Sequence, residues 1–159
     1  VDHLSKAFCG EGQHLYVPAV VSHVQTKRTL MKEDSIRQIM NAYDHLNVAL
    51  VGIGTADNTS SAFRSGYYSD EMKQQAIKDQ VCGDICMHLF DKEGRTDRFP
   101  YNKQIVGVNL NKLKKVPYAI GIANGVRKAE AIRGAIKGGY INVLVTDAQC
   151  GEALTRLNA

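Results

Sequence analysis

Three apolar runs, Val48 to Ile53, Ala119 to Ala123 and Val143 to Val145, punctuate a chain in which the other hydrophobic residues are interleaved with polar ones. Continuous apolar runs of strand length typify parallel strands buried on both faces, so each is read as a strand of one sheet. The segment from Tyr118 to Asp147 reads as strand, polar turn, basic amphipathic helix, Gly-Gly turn, strand and acidic residue. That order predicts a parallel βαβ unit. Between Glu33 and Leu46, Ile36, Ile39, Met40, Tyr43 and Leu46 recur at helical spacing opposite Arg37, Gln38 and Asn41, which predicts an amphipathic helix covering a sheet. Leu15 to Val21 reads as a further short buried strand, with Pro18 marking a sheet edge or a strand end.

The intervening stretches are more polar. Residues 3 to 9 read as the end of a helix, and Thr55 to Gly66 is too rich in Ser, Thr, Asn and Asp for a core element, so it is expected to be a loop. Asp70 to Asp79 suits a short helix. Gly83 to Phe90 reads as one strand leading through an Asp91-to-Gly94 turn to a returning segment near Ile105 to Val108. Asn111 to Val116 suits a helical turn, and Ala148 to Leu157 a closing helix. Strands near 16–21, 48–53, 119–123 and 142–146, separated by helices, predict an α/β fold with an open, mostly parallel, Rossmann-like sheet and flanking helices. Ligands of such sheets bind beyond the C-terminal strand ends, so the loop from Gly54 to Arg64 and the turn from Asn124 to Lys128 are expected to face one pocket.

Composition narrows the class. A chain of 159 residues, 44% hydrophobic and 23% charged, suits one domain with its own core. No apolar run approaches the roughly 20 residues needed to span a bilayer, so no membrane partner is expected. The start, Val-Asp-His-Leu-Ser-Lys, lacks an initiating Met and a signal-peptide pattern, which suggests that the sequence begins in mid-protein. Cys9, Cys82, Cys86 and Cys150 are scattered among apolar or small residues, as reduced thiols of a cytoplasmic protein are, and no second Cys or His pair gives Cys82 and Cys86 zinc-type spacing. No metal is therefore expected. The net charge of +4 is mild, and the clusters Lys27-Arg28 and Lys112, Lys114 and Lys115 lack interleaved aromatics, so they read as solvated surface rather than a DNA-binding patch.

Several residues carry candidate chemistry. Asn124-Gly125 ends a strand and opens a helix, where exposed backbone N–H groups suit a phosphate or carboxylate, and Lys128 in the first helical turn fits an anion there. Arg64 either clamps a phosphate or is surface; Asp84 either accepts hydrogen bonds from sugar hydroxyls or is satisfied by backbone. Lys128 and Arg127 could equally decorate a helix. Asp147 reads as a helix N-cap. Gly52-x-Gly54 lacks the remaining features of a dinucleotide motif, so no nucleotide cofactor is expected, and the five histidines form no triad pattern.

The strings VALVGIGTADNTSSAFRSG, VCGDICMHLFDKEG, IVGVNLNKL and IANGVRKAEAIRGAIKGGYINVLVTD, in this order, closely resemble the effector-binding domain of SorC-type (SorC/DeoR) bacterial transcriptional regulators. The resemblance extends through LSKAF and LYVPAVV to nearly the whole chain. It implies a fold like that of ribose-phosphate isomerase, glucosamine-phosphate deaminase and CoA transferases, used to sense a phosphorylated sugar. Binding would then shift a dimer or tetramer equilibrium and operator affinity. Carried over by motif, Arg64 and Lys128 would contact phosphate, Asp84 would hold sugar hydroxyls, and Gly54, Thr55, Asn124 and Gly125 would line the pocket; no catalytic residue is implied. Family members usually carry two glycines where this chain has Asn124-Gly125. They also carry a helix-turn-helix domain and an additional sheet segment with a phosphate loop, so residues 1–159 are expected to be an effector domain incomplete on its N-terminal side, reaching operator DNA only through a domain outside it. The alternative is a sugar-phosphate isomerase or deaminase of the same fold, with Asp84 as its base.

Overall fold

A computed structural model describes every residue except Asn58, Thr59 and Ala159. Its sheet has five strands in the order β3-β2-β1-β4-β5, with β1 at Val48–Thr55, β2 at Gly83–Ile85, β3 at His88–Phe90, β4 at Tyr118–Ile122 and β5 at Val143–Val145. The three apolar runs are the parallel part: Val48 pairs with Tyr118 through to Gly52 with Ile122, and Ile120 pairs with Val143 through to Ile122 with Val145. Beyond Gly52 the other edge of β1 takes up β2 in antiparallel register, which sets Gly54 directly opposite Asp84. This is the α/β fold with an open, mostly parallel sheet that the sequence pattern predicts.

The helices lie largely on one side. Helix α7, Ala129–Lys137, buries Ala129, Ala131, Ile132 and Ala135 against Ile53, Ile85, Phe90 and Ala119, and α8, Ala148–Asn158, adds Cys150 and Leu154. A parallel sheet ordinarily has both faces covered. Here the opposite face shows Val48, Leu50, Tyr118, Ile122, Val143 and Val145 at 38–59% exposure, correcting the expectation that these runs are buried on both sides. The two faces should therefore respond differently to substitution. Ile53→Ala is expected to cost about 2–4 kcal/mol, and Leu50→Gln less than about 0.5 kcal/mol, as measured by urea denaturation.

Other elements depart from expectation for local reasons. Leu15 to Val21 is not a sheet strand; only Val20 bridges, antiparallel, to Ile105, and Val21 packs with Met40 and Val106 in a separate cluster. Helix α3, Asp34–Ala42, continues as a 3-10 turn over Tyr43–His45 and buries Met40 in that cluster instead of covering the sheet. Helix α1 spans Asp2–Ala7, and α2, Val24–Leu30, falls in a polar stretch without apolar periodicity. The polar loop contains a short helix, α4, at Ser61–Arg64; Asn58 and Thr59 lie outside the described residues. Helices α5, Asp70–Lys78, and α6, Leu110–Leu113, stand close to their expected positions.

Gly83 to Phe90 is a hairpin, not one strand. Its two-residue turn, Cys86-Met87, has φ of 50° and 66°, a conformation that favours Asn-Gly and is strained for these side chains. Two hydrogen bonds offset that strain: Tyr68 Oη donates to the Met87 carbonyl at 2.6 Å, and His88 Nδ1 to the Cys86 carbonyl at 3.0 Å. The segment near Ile105 does not return to this hairpin. It bonds to the 19–21 stretch through Val21 N–H to Gln104 and Val106 N–H to Ala19.

Candidate functional site

The C-terminal end of β1, the turn after β4, helix α4 and the β2–β3 hairpin enclose a cavity of about 730 Å³. Gly54, Thr55, Arg64, Asp84, Asn124 and Lys128 all line it, so the two segments expected to face one pocket do so. Gly125 does not. Its φ of 94° shapes the turn, and its N–H donates to Asp147 Oδ2 at 2.5 Å, so it is committed within the fold. Asp147 also accepts the Cys150 N–H at 2.9 Å, as a cap of α8. These amide bonds, from Gly125 and then Cys150, hold its carboxyl below the usual carboxylate range.

Asp84 is the centre of the arrangement. It is 6% exposed, and its Oδ1 has no hydrogen-bond partner among the described residues. Burial raises its pKa to about 6, against an opposing pull from Lys128. The cross-strand register explains how the carboxyl fits, because a Cβ on Gly54 would stand 2.0 Å from Asp84 Oδ1. Gly54 leaves the space into which Asp84 extends. Gly54→Ala is accordingly expected to displace the carboxyl and weaken ligand binding at least about tenfold, measured by calorimetric titration.

The cations arrive from two directions. Lys128 lies in a 3-10 turn, Val126–Lys128, ahead of α7, and its Nζ donates to the Ile53 carbonyl at 2.9 Å, which pins it at the end of β1. Arg64 is exposed at the end of α4 and reaches the cavity from the opposite wall. Arg127 and Ser60 also line the cavity, and Arg127 pairs with Asp57 at 3.7 Å. Both fall within the two segments expected to face the pocket, although neither is a predicted ligand contact: Arg127 reads either as functional or as helix decoration, and Ser60 is not among the candidates. Three cationic side chains around a carboxyl with one unpartnered oxygen suit a ligand with an anionic group at one end and hydroxyl donors at the other.

Residues 1–156 match the family described as "Putative sugar-binding domain". The chain belongs to the sugar-binding domain family of SorC/DeoR-type transcriptional regulators. It is 34% identical over 150 residues to the deoxyribonucleoside regulator of Bacillus subtilis (strain 168), covering 94% of this chain and 48% of that protein. The crystal structure of the full-length sorbitol operon regulator SorC from Klebsiella pneumoniae superposes with a TM-score of 0.87 at 30% identity, covering 94% of this chain and 49% of that one. A transcriptional regulator from Streptococcus pneumoniae TIGR4 shares the fold at a TM-score of 0.93 and 20% identity, covering 99% of this chain and 60% of that chain. This sugar-binding domain thus spans about half the length of the curated relatives it matches. Among its described residues, no helix is long and apolar enough to cross a membrane.

Proposed function

We propose that this domain is the sensing module of a cytoplasmic, sugar-responsive transcription regulator, and that its effector is a phosphorylated sugar bound without turnover. The observation that carries the reading is Asp84, a buried carboxyl with an unpartnered oxygen on the wall of a cavity whose charged neighbours are Arg64, Arg127 and Lys128. Burying such a group without a partner costs free energy, and a ligand that donates hydroxyl hydrogen bonds would recover it. Arg64 and Lys128 supply the complementary contacts to phosphate. The names of the relatives, a deoxyribonucleoside regulator and a sorbitol operon regulator, fit a carbohydrate-derived effector. In the whole protein, ligand binding would act by differential affinity for two oligomeric states, with operator DNA contacted by a separate domain.

The pKa of Asp84, about 6, also suits a general base, which is the observation that favours an isomerase or deaminase reading. One experiment separates the two. A thermal-shift panel of sugar phosphates is expected to give a raised Tm with at least one compound, lost in Arg64→Ala and Lys128→Ala. The stabilising compound is expected to be recovered unchanged after prolonged incubation. Consumption of the compound, abolished by Asp84→Asn, would establish the enzyme instead.

A further inference from the structure

The fold brings together two lysine-bearing stretches that are far apart in sequence. Lys27 of α2 and Lys114, just beyond α6, both line a second cavity, of about 310 Å³, on the other side of the β2–β3 hairpin. His88, Asn102, Asn109 and Tyr140 complete its polar wall. It shares no lining residue with the first cavity: Cys86 and Met87 face one, and the next residue, His88, faces the other.

Its electrostatics are one-sided. No Asp or Glu lines this cavity, and among the described residues neither Lys27 nor Lys114 has an ion-pair partner. Lys27 is partly buried, and that burial lowers its pKa. Lys114 Nζ sits 4.9 Å above the Tyr140 ring, which fixes the ammonium at the cavity wall. Arg28, Lys32 and Lys103 line an adjoining groove that shares Lys27 and Met31, so more positive charge surrounds the opening. Asp91 and Asp97 act on Tyr140 from nearby; Asp91 is occupied by Arg95 and Arg98, and Asp97 is exposed. Asn102 is consumed by bonds to Leu89 and Thr96, making it a rigid wall. His88 donates Nδ1–H to the Cys86 carbonyl; burial first, and Lys27 as well, lower its pKa, so the free ring presents Nε2 as an acceptor, and an anion in the cavity would oppose that shift and make Nε2 a donor.

We propose that this second cavity binds a small oxyanion, either inorganic phosphate or a compact phosphate monoester, held by Lys27 and Lys114 with His88 as a third donor. The enclosed volume fits a small molecule, at the lower end of ordinary ligand sites. It does not depend on the sugar reading of the first cavity.

The test is an NMR titration of the domain with inorganic phosphate, following the imidazole signals, with His88 assigned by their loss in His88→Gln. Saturable binding is expected, with the apparent pKa of His88 raised by about half to one unit because an adjacent anion favours the charged ring. Lys27→Gln with Lys114→Gln should weaken the effect at least about tenfold, whereas Arg64→Ala with Lys128→Ala should leave it intact. A parallel titration with glycerol 3-phosphate identifies the ligand's form: tighter binding assigns a carbon skeleton, equal binding assigns free phosphate. A shift that fails to saturate, that survives the double lysine substitution, or that disappears in the Arg64 and Lys128 variant overturns the proposal.

Discussion

Asp84→Asn is expected to make the ligand-free domain more stable at pH 7 while weakening its affinity for a sugar phosphate. Burial raises the Asp84 pKa to about 6, above the value near 3.9 of an unfolded chain. The folded state therefore holds this proton more tightly than the unfolded state does. The stabilisation it contributes is complete below about pH 4 and is lost as pH rises through about 6. At neutral pH the buried carboxylate is a net cost, and a neutral amide is expected to recover about 1–2 kcal/mol, part of the gain being offset by the amide's own unmet hydrogen bonds. Urea denaturation should show the variant more stable at pH 7 and the advantage gone at pH 4. Affinity should fall about tenfold to a hundredfold, since hydrogen bonds to a charged acceptor contribute about 1.5–3 kcal/mol. A variant less stable than the parent at pH 7 would mean that the Asp84 charge is already compensated.

Asp91→Ala is expected to produce the largest loss of stability from a single polar side chain. Asp91 is 3% exposed; its Oδ1 accepts the Glu93 and Arg95 N–H groups, each at 2.9 Å, and its Oδ2 accepts Arg95 Nε at 2.8 Å with Arg98 at 3.5 Å. Burial pushes this carboxyl up, but the bonds from the Arg95 amide and guanidinium and from the Glu93 amide outweigh it, so its pKa lies below the usual value. Those bonds shape the turn whose Gly94 carbonyl accepts Tyr140 Oη at 2.6 Å beneath α7. Removing them should cost about 2–4 kcal/mol. A depressed folded pKa contributes stability that is present above the unfolded value near 4 and lost as pH falls through the folded one. The parent should therefore lose stability on acidification below the unfolded value near 4 more steeply than Asp91→Ala, so that the difference between them narrows. Two buried aspartates seven residues apart thus have opposite signatures, one built into the fold and the other held against it.

The strands that were legible in the sequence are those whose signal is local. Val48 to Ile53, Ala119 to Ala123 and Val143 to Val145 are continuous apolar runs, and they form β1, β4 and β5. Their exposure was not legible, because a run of alternating Val, Leu and Ile reads identically whether one face or both are covered. The hairpin at Cys86-Met87 was hidden for a different reason: its turn uses neither Asn nor Gly, and two backbone acceptors far from ordinary turn chemistry hold it in place. Helix α2 has no apolar stripe of the expected width, since it rests on a small cluster instead of the sheet. Within the candidate site, Asp84 and Lys128 were legible from flanking glycines and a strand end, whereas the space that admits the Asp84 carboxyl depends on the register of Gly54 across two strands. Gly125 shows the converse. Its sequence context suggested a free amide, but Asp147, 22 positions away, takes that amide.

The central claim is that a phosphate-bearing sugar bridges Asp84 and the Arg64 and Lys128 side of one cavity. The most direct measurement is a calorimetric titration of the domain with the sugar phosphate that stabilises it most, run beside the same sugar without its phosphate. One-to-one binding is predicted, at least about tenfold tighter for the phosphorylated form, with that advantage abolished by Arg64→Ala and Lys128→Ala together. Equal affinity for the two sugars, or a phosphate advantage that survives the double substitution, would contradict the account.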